Sequence, residues 1–148
     1  MKTIALRFGE HFSPKAGTIS AHEEILTEYG FVWFGKMGSV ISKKVVREIF
    51  NSDTPRILLI RSGKIERYWA YVSEIQYDVP PKEYIPSYYR DDAENFHTWI
   101  KISKFELAPR NILSKYCVAS SGTPLNIAST HSMSPYFIIE ERILVTEE

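Results

Sequence analysis

Residues 29–39 read YGFVWFGKMGS, and they pose the question on which the interpretation of the whole chain depends. Successive side chains of a β-strand point to opposite faces of the sheet. One face of such a strand would carry Phe31, Trp33 and Gly35. The other face would carry Val32, Phe34 and Lys36. Because the residue two places after the tryptophan is small, the indole is either packed as core or left open to a flat ligand.

Size and composition indicate a globular protein, with residues 1–148 as a single domain. Hydrophobic residues make up 44% and charged residues 24% of the chain, and the net charge is zero. This balance argues against a protein that depends on non-specific attraction to phosphates. The single cysteine, Cys117, excludes an internal disulfide and fits a reducing compartment. We therefore expect a cytoplasmic protein, and no apolar run approaches the length of a membrane span.

The hydrophobic pattern predicts about six strands and two to three helices. Strands are expected at 2–8, 31–37, 56–60, 67–79, 96–107 and 136–142. A first helix is predicted to begin at Ser20, with Glu23 completing a capping box, and to end at Gly30. Ser42 is predicted to cap a second helix. This order indicates an α+β fold, a curved mixed sheet or small barrel with the helices outside.

No pattern of catalytic or metal-binding residues appears in the chain. The four histidines and Cys117 show no metal-ligand spacing, and phosphate-binding and nucleophile motifs are missing. Cys117 stands in an apolar stretch that is typical of a packed thiol. The sequence therefore predicts a protein without enzymatic activity, cofactor or metal.

Residues 79–95 form a long irregular connection with three tyrosines, Tyr84, Tyr88 and Tyr89. Connections of this length in a compact domain are usually functional or disordered, and the rings argue against disorder. A flat ligand such as a nucleobase is held between aromatic walls. Trp33 is a candidate for one wall and the tyrosines for the other, whereas Trp69 and Trp99 are expected to be core residues because they lie inside apolar strands.

The order of these elements resembles the PUA-like superfamily, and in particular its YTH and EVE branches, which bind modified bases. YTH domains pass from a strand through a polar loop and a helix to a G-V-W stretch with the first cage tryptophan. The segments that carry the resemblance here are YGFVWFGK, KKVVREIF, RILLIRSGK, RYWAYVSEI, PPKEYIPSYY and HTWIKISKFEL. Two departures are visible: the second cage wall offers only tyrosines, and the phosphate-contacting arginine of the family is absent.

The resemblance implies a site in which one base is flipped out of its stack. The implied base pocket comprises Trp33, Tyr84, Tyr88, Tyr89, Phe34 and His11. Contacts to the nucleic-acid backbone are expected from the basic residues that follow Trp33 in the sequence, Lys36, Lys43, Lys44 and Arg47. Further contacts are expected from Ser129, Thr130 and His131, which occupy the region of the family's missing arginine. DNA is favoured over RNA, with methylated adenine or modified cytosine as the base.

Three functions follow from this interpretation. The first is a non-catalytic DNA reader, the specificity part of a modification-dependent restriction system, with an AAA+ motor or nuclease domain in the same or a partner chain. The second is an ASCH-like nucleoside-processing enzyme of the same superfamily, for which Lys36 and Glu74 are the candidate residues. The third is a protein-interaction module that binds its partner through the tyrosine-rich connection.

Overall fold

A computed structural model describes residues 2–8, 15, 17–61, 66–132, 134 and 136–142 of the chain. The strands are β1 (Lys2–Phe8), β2 (Val32–Lys36), β3 (Arg56–Arg61), β4 (Arg67–Gln76), β5 (Thr98–Leu107), β6 (Tyr116–Val118) and β7 (Tyr136–Glu141). The α-helices are α1 (Thr18–Tyr29), α2 (Lys43–Phe50) and α3 (Leu125–His131). Short 3₁₀ helices span Lys82–Tyr84, Arg90–Asn95 and Ile112–Lys115.

All seven strands belong to one mixed sheet, in the order β2-β5-β4-β3-β1-β7-β6. β1 and β3 are parallel, whereas the other neighbours are antiparallel. The pairing of β4 with β5 shifts register near Val72, as a β-bulge does. The ammonium of Lys36, at the end of edge strand β2, lies 4.7 Å from the ring centroid of Tyr136 on β7. The sheet therefore curls strongly and brings its two ends together.

Local sequence explains where the helices begin and end. Gly30 ends α1 in the left-handed conformation, with φ of 83°, and its N–H donates to the carbonyl of Leu26. The hydroxyl of Ser42 accepts a hydrogen bond from the N–H of Val45 and so caps α2, as the sequence predicted. The predicted start of α1 is wrong, because the helix begins at Thr18 with Gly17 before it.

Buried side chains form three clusters, two of which lie on the convex outer surface of the sheet. The inner cluster fills the curl and includes Ile4, Leu6, Val32, Phe34, Ile57, Leu59, Ile100 and Ile102, together with Val45 and Ile49 of α2. The outer cluster lies under α3 and includes Ala5, Leu58, Ile60, Trp69, Ile112, Leu113, Leu125, Phe137 and Ile139. The aromatic cluster contains Phe31, Trp33, Tyr84, Ile85, Tyr88, Tyr89, Ala93, Phe96 and Trp99.

The structure confirms the α+β class and the curved mixed sheet. Two elements differ from the expectation. The three-residue strand β6 is too short to show a periodicity, and α3 lies in a stretch whose serines, threonines and glycine are typical of a loop. Leu125 of α3 is fully buried in the outer cluster, so packing decides this helix. No helix within the described ranges is long and apolar enough to cross a bilayer.

Candidate functional site

The aromatic cluster lies where residues 79–97 fold over the outer surface of β2 and β5. Trp33 on β2 and Trp99 on β5 come from the sheet, while Tyr84, Tyr88 and Tyr89 come from the covering segment. Phe31 and Tyr84 are half-buried, with their ring centroids 4.7 Å apart. The tyrosine-rich connection is therefore ordered by burying its rings against the edge of the sheet.

Gly35 does not leave an empty slot beside Trp33. A Cβ atom at this position would lie 2.9 Å from Trp99 and 3.1 Å from Phe96. Gly35 is paired with Trp99 in the ladder between β2 and β5, so the indole crosses directly over the glycine. The space left by the missing side chain is filled by the protein's own aromatic rings.

The hydroxyl of Tyr89 binds the free edge of β2. It accepts a hydrogen bond from the N–H of Gly35 at 3.2 Å, and it lies 3.3 Å from the carbonyl oxygen of Trp33. Nε2 of His22, on α1, lies 2.8 Å from the same hydroxyl. An edge strand presents unpaired backbone groups, and here one phenol tip meets two of them.

His22 is buried and its protonation state follows from its partners. Nδ1 lies 2.8 Å from the carbonyl oxygen of Thr18, which can only accept, so Nδ1 carries the proton. Burial lowers the pKa of His22 to about 4, and the imidazole is neutral at pH 7. Nε2 is then an acceptor, and we assign the Tyr89 hydroxyl as its donor. Burial also raises the pKa of Tyr89, so the phenol keeps its proton.

One lysine covers the solvent side of the aromatic cluster. The ammonium of Lys101 lies 4.4 Å from the ring centroid of Phe31 and 5.9 Å from that of Trp33. It also lies 3.9 Å from a carboxylate oxygen of Glu74. The aromatic cluster thus carries a cation at its rim, over the ring faces on which a flat ligand would stack.

Comparison with known families supplies the decisive observation. The family model described as Pua-like matches residues 4–145, which is almost the whole chain. The chain belongs to the Pua-like family. Comparison with curated proteins and with solved structures found no match. The resemblance to the superfamily is thereby confirmed, and the narrower YTH or EVE assignment stays a prediction.

The Pua-like fold brings most of the predicted pocket residues together. Trp33, Tyr84, Tyr88 and Tyr89 share the aromatic cluster, as expected. The open indole expected from the sequence is not present, because Trp33 is only 5% exposed beneath Lys101 and the covering segment. Trp69 and Trp99 are core residues, as predicted.

Two other predicted pocket residues stand apart from this group. Phe34 lies on the opposite face of β2, in the inner cluster, and stacks on His22 with 4.8 Å between ring centroids. This corrects the expectation that Phe34 stands beside Trp33, since neighbouring residues of a strand face opposite ways. His11 lies outside the described residues.

The predicted backbone contacts divide between two surfaces of the Pua-like domain. Lys43, Lys44 and Arg47 are exposed on α2, whose buried residues join the inner cluster. Ser129, Thr130 and His131 belong to α3, which packs on the outer cluster at the other face of the sheet. The carbonyl of Ser129 accepts a hydrogen bond from Arg7 at 2.6 Å. The two sets therefore do not form one continuous phosphate-binding surface.

Lys36 is not available to a phosphate in this structure. Lys36 is 1% exposed, and its ammonium donates to the carbonyls of Met37 and Ser39 at 3.0 and 2.6 Å. Burial lowers its pKa. The expectation of a backbone contact at Lys36 is thereby corrected, because its side chain shares the inward face of Val32 and Phe34.

A groove of about 530 Å³ opens beside α2, between this helix and the end of the sheet that holds β6 and β7. Its walls include Lys2, Ser42, Lys44, Glu48 and Tyr136. The predicted contact Lys44 therefore lines a concave surface with a second lysine and one glutamate.

The residues proposed for an enzyme are not brought together. Lys36 points into the inner cluster, whereas Glu74 is exposed beside Lys101. Within the described ranges, no group of three or more His, Cys, Asp or Glu side chains is placed to hold a metal ion. The arrangement contains aromatic rings and hydrogen-bonding groups.

Sequence reasoning missed His22 and Lys101. His22 is four residues after Thr18 and three before Ile25, which places it on the buried face of α1. That spacing was a usable signal, but it competes with the usual exposure of histidine. No local sequence pattern indicated Lys101, because its position over Phe31 and Trp33 depends on the pairing of β5 with β2.

Proposed function

We propose that this Pua-like chain is a non-catalytic nucleic-acid-binding domain that accepts one unstacked base at the aromatic cluster. The observation that carries the proposal is a cluster of seven aromatic rings at the β2 edge of the sheet, with the Lys101 ammonium lying over two of them. Aromatic platforms rimmed by cations are the usual means by which proteins hold single bases.

The cover over these rings is weakly held. An exposed cation–π contact contributes about 0.5–1 kcal/mol, and an exposed ion pair such as Lys101 with Glu74 contributes about 0–1 kcal/mol. Stacking of one base contributes about 1–3 kcal/mol. Removal of the lysine cover therefore costs no more than the stacking of one base contributes, and the released ammonium can follow the phosphate of the same nucleotide. Hydrogen bonds to the edge of the base must offset the few kcal/mol that its extrusion costs.

The basic residues of α2 supply the second part of the proposal. Lys43, Lys44 and Arg47 are exposed, and Lys44 lines the groove beside this helix. We propose that they contact phosphates and fix the position of the strand, while the aromatic cluster distinguishes the base. The preferred ligand is DNA with methylated adenine or modified cytosine, and the cellular role is target recognition for an AAA+ motor or nuclease of a restriction system.

The test uses fluorescence anisotropy with short DNA and RNA duplexes that carry a single methylated or unmodified base. The key variant is Lys101→Ala. Its matched control is Lys104→Ala, because Lys104 on the same strand lies 5.4 Å over the ring of Tyr71 and 3.5 Å from Glu106. A phosphate contact at Lys101 predicts weaker binding and a salt dependence reduced by about one contact.

The two lysine variants distinguish nucleic-acid binding at the aromatic cluster from general attraction to surface charge. The proposal is supported if Lys101→Ala loses more affinity than Lys104→Ala and if wild type binds one modified duplex more tightly than the others. Equal losses in both variants would show that the aromatic cluster is not the binding surface. Equal and weak binding of every duplex would reject the base-binding function.

A second candidate function has one observation in its favour. Tyr29 is exposed and packs edge-on against Tyr84, with ring centroids 5.0 Å apart. The pKa of Tyr29 is raised, mainly by the charge of Glu28 and further by burial and by Glu83, so the local potential is negative. We propose this flank as the surface for a basic peptide if the domain binds protein. A titration in which Tyr29→Ala weakens a basic peptide but leaves DNA binding unchanged would support that role.

A further inference from the structure

The ring of Tyr89 is enclosed by other aromatic rings, as a flat ligand is in an aromatic pocket. The ring is stacked nearly parallel to that of Trp99, at an interplanar angle of 14° and a centroid separation of 6.4 Å. Phe96 and Tyr88 close its sides, with centroids at 5.2 and 4.9 Å. The side chain thus occupies a flat, aromatic-walled space at the edge of β2.

The polar tip of the same ring lies among three backbone and side-chain partners. It meets one donor, the N–H of Gly35, and two acceptors, Nε2 of His22 and the carbonyl oxygen of Trp33. A phenol has one proton, so it can donate to only one of the two acceptors at a time. One of these two acceptors therefore receives no proton from the Tyr89 hydroxyl.

We infer that Tyr89 occupies the base site of the closed domain, and that a nucleobase enters by displacing this ring and taking over its hydrogen bonds. This inference rests on the proposed function and adds the position of the ligand to it. It also assigns Tyr89 a role different from a cage wall, because the tyrosine leaves when the base arrives.

The hydrogen-bonding edge of a base matches these partners. Adenine and cytosine each place a ring nitrogen acceptor beside an exocyclic amino donor. The acceptor would face the N–H of Gly35, and the amino group would donate to the carbonyl of Trp33 or to His22. An amino group that carries one methyl keeps one N–H, so methylation leaves this donor in place and adds apolar surface for the rings.

The segment that carries Tyr89 is held together by bonds between its own residues. Arg90 donates twice to the carbonyl of Ile85, and Lys82 pairs with Glu94 at 3.0 Å. These bonds join residues of the segment to each other. The Tyr89 hydroxyl ties the segment to β2 and α1, and the carbonyl of Phe96 ties it to β5 by accepting a hydrogen bond from Trp99. Displacement of the Tyr89 ring therefore breaks its own bonds to β2 and α1 and leaves the internal bonds of the segment in place.

The first experiment compares Tyr89→Phe with wild type. Tyr77→Phe is the matched control, because the Tyr77 hydroxyl donates to the carbonyl of Ile41 at 2.7 Å and lies outside the aromatic cluster. Tyr89→Phe keeps the ring but removes its bonds to β2 and α1, so the closed state is weakened. Loss of about one hydrogen bond predicts an affinity for the preferred duplex that rises about fivefold. An unchanged or lower affinity in Tyr89→Phe would overturn the inference.

A second experiment does not depend on nucleic-acid binding. Tyr89→Gly removes the ring, and its melting temperature is measured with 4-methylphenol, with free adenine and without additive, beside Tyr84→Gly. We expect both additives to raise the melting temperature of Tyr89→Gly and not of Tyr84→Gly. Stabilisation by 4-methylphenol alone, or by neither compound, would contradict the inference.

The two experiments separate the inference from the proposed function. If no oligonucleotide binds to wild type or to Tyr89→Phe while adenine stabilises Tyr89→Gly, the site exists and the nucleic-acid function fails. If duplexes bind and depend on Lys101 while Tyr89→Phe does not bind more tightly, the function stands and the displacement of Tyr89 is rejected.

Discussion

The outer surface of the sheet is covered in two different ways, and the difference separates structure from function. Over β1, β3 and β7 the cover is α3 with a 3₁₀ turn, and it meets the sheet mainly through aliphatic side chains such as Leu58, Leu125 and Ile139. Over β2 and β5 the cover is residues 79–97, and it meets the sheet through aromatic rings with polar tips.

Aliphatic side chains leave no group that a ligand can replace. They contribute to the free energy of unfolding through burial and close packing, and removal of one of them leaves a cavity. Tyr89 instead meets the sheet through hydrogen bonds and a stacked ring, both of which a base can reproduce. If the inference for Tyr89 holds, the outer cluster serves the stability of the fold alone, whereas the aromatic cluster also holds a side chain that a base can displace.

The largest expected effect tests the outer cluster. Leu58 is 0% exposed, and Leu58→Ala should lower the free energy of unfolding by about 2–5 kcal/mol through lost burial and a cavity. Tyr89→Phe should lower it by about 1 kcal/mol, the contribution of its hydrogen bonds. Urea denaturation measures both values. Equal losses would remove the distinction between the two covers.

Gly35→Ala tests whether the space beside Trp33 is filled. The added Cβ would lie within 3.0 Å of two atoms of the Trp99 indole and 3.1 Å from the ring of Phe96. The indole cannot move aside freely, because Trp99 is 0% exposed. Overpacking of this kind lowers the free energy of unfolding by about 1–3 kcal/mol. A neutral result in urea denaturation would show that the aromatic cluster has free room and that its rings are loosely placed.

The acid dependence of stability tests the bond between His22 and Tyr89. The pKa of His22 is about 4 in the folded protein against 6.5 when unfolded, so the unfolded chain binds the proton more readily. Its contribution is fully present above pH 6.5 and is lost as the pH falls toward 4, by about 2 kcal/mol between pH 7.5 and pH 5.

The matched variant for this measurement is His22→Gln, whose side chain does not titrate. Unfolding free energies at pH 7.5 and pH 5 should differ less in the variant than in wild type, by about 2 kcal/mol. The same pH dependence in both proteins would show that His22 is accessible to protons in the folded state, and the assigned donor at Tyr89 would then be wrong.

The smallest expected effect concerns the cover over Phe31 and Trp33. Lys101→Ala should change the free energy of unfolding by less than about 1 kcal/mol, as Lys104→Ala should. The two variants differ only in binding, where Lys101→Ala has the larger effect. A loss of stability well above that of Lys104→Ala would mean that Lys101 is part of the core and not a removable cover.

Periodicity and capping in the sequence predicted most of the elements. The alternation of Val32, Trp33 and Phe34 predicted correctly that Trp33 and Phe34 lie on opposite faces of β2. Gly30 and Ser42 end and begin helices as their chemistry requires. These features depend on neighbouring residues, whose geometry is set by the backbone itself.

Local patterns in the sequence were enough for the α+β class and for the opposite faces of β2, and the resemblance to the PUA-like superfamily led us to expect that Trp33 meets the three tyrosines. The folded arrangement alone shows that Trp99 fills the space over Gly35, that His22 meets Tyr89 and that Lys101 covers Phe31. These contacts join residues far apart in the chain, and the curl and register of the sheet select them. No local pattern records such a choice, because the free energy that decides it comes from packing across elements.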